Sequence, residues 1–72
     1  MDILATFPDT QTVLQAEQVL TRRRIPFETV PQSLYKRKKC GLGILFADIH
    51  RDIARQALEE FHLQADFTDL EK

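Results

Sequence analysis

A chain of 72 residues, 43% apolar and 29% charged, has room for one small α+β domain over residues 1–72 and one core, and it excludes a disordered or low-complexity chain. Its net charge of −1 hides a basic centre: residues 22–39 hold seven cations against the single acid Glu28, a local +6 balanced by −7 elsewhere. Such a run is solvated surface in most chains and an anion-attracting patch in some.

The single cysteine, Cys40, cannot form an internal disulfide, which argues against a disulfide-stapled secreted module and suits a reducing compartment. The start of the chain has no basic segment and its apolar stretch stops at Pro8, so it makes a poor signal peptide. The uncharged run 41–47 is far too short to span a bilayer. A cytoplasmic protein with no membrane association is the expectation.

In chain order, the apolar residues 2–7 predict a strand, ended by Pro8 and followed by the helix-capping pair Asp9 and Thr10. Val13, Ala16, Val19 and Leu20 recur at three- and four-residue steps, predicting a helix over about 10–24 with Arg22, Arg23 and Arg24 in its last turn. Pro26 closes it, because proline lacks the backbone donor a helix needs, and 27–30 is a β-prone run ending at Pro31. After a polar connection, 40–46 reads as a buried strand whose glycines suggest close backbone approach or a bulge. Asp48 is the expected N-cap of a second helix through Phe61, with Ile49, Ile53, Ala54, Ala57 and Phe61 on one broad face. The alternation over 62–67 predicts a last, half-buried strand.

The order is therefore βαββαβ. A ferredoxin-like sandwich, with a four-stranded antiparallel sheet and two helices on one face, satisfies this pattern and the right-handed crossover rule. With strand three returning between parallel strands one and two, Cys40 falls at the sheet end where strand one closes and helix one begins, close to residues 8–11. Arg22, Arg23 and Arg24 are expected at the opposite end, about 17–20 Å away.

The run Lys36-Arg37-Lys38-Lys39-Cys40-Gly41 is the one place where the sequence hints at chemistry. Fixed positive charge favours the thiolate over the thiol, and the thiolate is the nucleophile. A helix N-terminus nearby would act in the same direction, partly opposed by Asp9. The alternative is a small apolar residue packed at the start of a strand, since free cysteine is among the most buried residue types. No second cysteine completes a catalytic pair, and His62, the only candidate base, reads better as a solvent-facing residue after helix two. Whether the protein is an enzyme stays open, with a carrier or binding protein preferred.

Nucleic-acid binding through the basic run is disfavoured, because the central strands offer only Phe7 and Phe46 for stacking and no RNA-binding signature is present. Metal binding is not expected either: His50 and His62 bracket helix two, about 18 Å apart at 1.5 Å per residue. Gly41-Leu42-Gly43 opens a strand rather than a helix, so it is not a phosphate loop. Tyr35 reads as a loop anchor.

Ala16-Glu17 with Leu20, Ile25-Pro26, Pro31 and Cys40-Gly41-Leu42 together resemble the selenium/sulfur (Se/S) carrier protein-like family over roughly residues 4–67. The resemblance implies a small domain that holds sulfur or selenium on Cys40 as a persulfide or selenosulfide and exchanges it with a donor or acceptor protein. Gly41, Lys36, Arg37, Lys38 and Lys39 would form the binding loop, and no cofactor is implied. The chain departs from the family pattern in two places: Lys38-Lys39 stands where small or hydroxyl residues are usual, and Arg24 stands where glycine is usual. A non-catalytic interaction module, homodimeric or docked on a partner through a sheet face or edge, is the alternative reading.

Overall fold

The computed structural model describes residues 1–31 and 41–70. Among these residues the elements are β1 (Ile3–Thr6), α1 (Thr10–Arg22), β2 (Glu28–Pro31), β3 (Leu42–Phe46), a 3₁₀ turn (Asp48–His50), α2 (Arg51–Glu60) and β4 (Asp66–Asp69). The sheet is antiparallel throughout, in the order β2-β3-β1-β4, so β3 lies between parallel β1 and β2. This is the ferredoxin-like βαββαβ arrangement. Pairing runs without a slip through Gly43, which faces Thr6 on one side and Val30 on the other. The suggested bulge is absent there, and no described glycine has positive φ.

Strand alternation divides the apolar side chains between two faces. Ile3, Ala5, Ile44 and Phe46 share the helix side with Val13, Ala16, Val19 and Leu20 of α1 and Ala54, Ala57 and Leu58 of α2. Phe46 meets Phe67 edge to face, with ring centroids 5.4 Å apart. Leu4, Val30 and Leu45 form a second buried cluster on the other face, with Leu70 packed against it. The Thr29 hydroxyl donates to the Glu17 carboxylate, tying β2 to α1.

Both helices end in the same way. Arg24 (φ 58°) donates its N–H to Thr21 O, and Ile25 donates to Leu20 O; His62 (φ 57°) donates to Glu59 O, and Leu63 to Leu58 O. Each is a Schellman closure, in which a left-handed residue turns the chain and satisfies the last carbonyls. Helix one therefore stops at Arg22, before Pro26 could act.

Three expectations need correcting. The face named for helix two is only partly buried: Ala54 and Ala57 are buried with Leu58, but Ile49, Ile53 and Phe61 are 83%, 51% and 50% exposed. Ala54, Ala57 and Leu58 form the face that α2 turns into the common core, and the larger Ile49, Ile53 and Phe61 lie off it. Asp48 does not cap α2, whose N-cap position is His50 with no side-chain bond; Asp48 instead pairs with Arg51 at 2.9 Å. Strand four begins four residues later than the alternation suggests, because His62 and Leu63 are consumed in closing α2.

Candidate functional site

Antiparallel pairing fixes which chain ends meet. Thr6, the last residue of β1, faces Gly43 of β3 and Asp66 of β4, so the close of β1, the start of β3 and the start of β4 share one end of the sheet. Half-buried Gly41 leads into β3 at this end, and α1 starts four residues after Thr6. Cys40, Lys36, Arg37, Lys38, Lys39 and Tyr35 lie outside the described residues.

Of the groups expected near the thiol, Asp9 is the best defined. Its carboxylate accepts from the Thr12 backbone N–H and from the Thr12 hydroxyl, both at 2.7 Å. The Thr12 N–H first, and then its hydroxyl, hold the Asp9 carboxyl below its ordinary value of 3.8; slight desolvation opposes them and the Gln11 N–H adds to them. An ionised Asp9 is therefore committed to the first turn of α1, where it offsets part of the positive end of the helix dipole. His62 is exposed and serves as the left-handed residue closing α2.

Arg22, Arg23 and Arg24 were expected to stand apart from this region. The Arg23 guanidinium pairs with Glu60 at 2.7 Å, joining the end of α1 to the last residue of α2. His50 and His62 bracket α2, and among the described residues no group of three or more His, Cys, Asp or Glu side chains is arranged to hold a metal ion.

The same end of the sheet carries an open groove of about 940 Å³ that the sequence reading missed. Phe7, Leu58 and Phe67 give it an apolar lining, and Arg55, Glu59 and Asp66 bring charges of both signs to it. The Arg55 guanidinium lies 6.0 Å from the Phe67 ring centroid. The four-residue spacing of Arg55 and Glu59 is visible in the sequence; that β4 brings Phe67 against them is a tertiary fact.

A four-stranded ferredoxin-like sheet whose third strand is preceded in sequence by Cys-Gly defines a small α+β domain. The family model described as "Putative Se/S carrier protein-like" matches residues 2–67, and the chain belongs to that family. No curated protein and no solved structure matches it. Among the described residues no helix is long and apolar enough to cross a membrane.

Proposed function

We propose that the protein carries sulfur or selenium on Cys40 between a donor and an acceptor protein in the cytoplasm, without a cofactor. The observation that carries this reading is membership, over residues 2–67, of a family described as Se/S carrier-like, in a chain whose only thiol is Cys40. In the loading step the Cys40 thiolate attacks the outer sulfur of a donor persulfide. A new S–S bond forms, the donor's S–S bond breaks, and the donor leaves as its thiolate. Selenium follows the same course through a selenosulfide. Lys36, Arg37, Lys38 and Lys39 favour the anionic thiol, and the N-terminus of α1, at the sheet end where Gly41 enters β3, acts in the same sense. The chain acts as a carrier rather than a stand-alone enzyme, because it supplies no second cysteine to resolve the persulfide.

Intact mass spectrometry of protein purified without reductant tests this. An adduct of about 32 Da for sulfur or about 79 Da for selenium is expected on Cys40 and should be absent from Cys40→Ser. The pH dependence of Cys40 alkylation gives an independent check, and an apparent pKa at or above about 8.5, that of a free thiol, would refute an activated carrier thiol.

A second reading is favoured by one observation: Ile49 and Ile53 lie exposed one turn apart beside the start of α2. In that reading the domain is a docking module and Cys40 is structural, so Cys40→Ser keeps full function.

A further inference from the structure

The groove beside α2 is lined in part by three exposed charged residues, Arg55, Glu59 and Asp66. Among the described residues the ion pairs are Arg23–Glu60, Arg51–Asp48 and Arg51–Asp69, and Arg55, Glu59 and Asp66 take part in none. Arg55 and Glu59 stand four residues apart on α2, about 6 Å along its axis, the spacing at which opposite charges commonly pair on a helix. Arg55 instead lies over the Phe67 ring, where cation–π attraction holds its guanidinium at the edge of the apolar lining. Among the described residues the groove thus offers one cation and two carboxylates outside any ion pair, and an aromatic surface.

Small-molecule sites combine apolar lining with a few convergent polar groups, and this open groove holds both, with more polar than apolar surface. Its charge pattern selects among ligands. A simple anion would meet two carboxylates, and a simple cation would leave Arg55 unpaired. A molecule with adjacent carboxylate and ammonium groups and an apolar side chain satisfies every part.

We propose that this groove binds a free α-amino acid with an apolar side chain. Its carboxylate meets the Arg55 guanidinium, whose planar fork suits a carboxylate. Its ammonium meets Glu59, with Asp66 adding negative charge, and its side chain rests on Phe7, Leu58 and Phe67. The proposal needs no chemistry at Cys40, so the Cys40→Ser protein should bind equally well, and failure of the carrier reading would leave it standing.

The test is an amide NMR titration of the full chain with L-leucine, beside N-acetyl-leucine and leucinamide, which each lack one of the two charges. Saturable shifts centred on Phe7, Arg55, Leu58 and Phe67, with Kd of about 1 mM or tighter, are expected for leucine. Either derivative, and either Arg55→Gln or Glu59→Gln, should weaken binding about tenfold or more, since each removes a charge-assisted hydrogen bond. Both positions are exposed, so the variants should keep the spectrum of the folded protein. An absence of saturable shifts would overturn the proposal. So would equal binding of the two derivatives and the free amino acid, because the groove would then be reading only the apolar side chain.

Discussion

At the start of α1 a single local side chain, Asp9, accepts two hydrogen bonds from Thr12, and the helix then buries Val13, Ala16, Val19 and Leu20 as one stripe. The start of α2 is built differently. It follows a 3₁₀ turn and has no side-chain cap, and beside one local ion pair the groups that anchor it come from remote parts of the chain. The Asp2 carboxylate accepts from the Asp48 N–H at 2.8 Å, and Arg51 reaches Asp48 at 2.9 Å and Asp69 at 3.7 Å. The first helix is set by residues within one turn of its end, whereas the second is set by strands that must already be in place. Local sequence can start α1, whereas α2 leans more on tertiary structure, so packing losses should fall on α2 hardest.

The largest effect should follow from Leu58→Ala. Leu58 is the one large side chain that α2 buries, and truncating such a residue costs about 2–5 kcal/mol. Leu14→Ala, on the exposed side of α1, should change stability by less than about 0.5 kcal/mol. Urea denaturation of both variants measures the contrast, and equal losses would break it. A domain of this size has little stability to spare, so Leu58→Ala should move the urea midpoint far down with the slope little changed.

Smaller changes, in the opposite direction, are expected where the helices are alike. Arg24 and His62 hold left-handed backbone that costs an L-residue about 1–2 kcal/mol and costs glycine almost nothing. Part of that gain is cancelled by the greater freedom glycine gives the unfolded chain. Arg24→Gly and His62→Gly should each raise stability by about 0.5–1 kcal/mol. A loss in either variant would mean that the side chain, and not the backbone, holds that helix end.

The contrast between the helices also explains what the sequence could reveal. The βαββαβ order is legible because the apolar period changes cleanly between strand and helix. The stripe of α1 is legible because its cap and its face are both local. The face of α2 is misread through Ile49 and Ile53, since hydrophobicity alone cannot tell that Ala54 and Ala57, rather than the larger isoleucines, are the residues buried. The regular alternation over 62–67 is coincidental, because its first two residues belong to the closure of α2. The thiol announces itself through its neighbours in sequence. The groove does not, because Phe7, Arg55 and Phe67 meet only after three elements have packed.

The smallest effect is the one that isolates the local character of α1. Hydrogen bonds to the charged form depress the folded pKa of Asp9 below 3.8, so the ionised cap stabilises the native state. That contribution is fully present above the unfolded value and is lost as pH falls through the lower, folded value. Asp9→Ala should therefore lower Tm at neutral pH, and the gap from wild type should narrow as pH drops below 3.8. Asp9→Asn should retain part of the cap, since its amide oxygen can still accept from Thr12, and should lose most of the acid dependence. Because Asp9 is fully exposed, the change should be modest and sensitive to salt. A gap that stayed constant through the acid range would show that Asp9 acts by hydrogen-bonding shape and not by charge, and the electrostatic share of the cap would be excluded.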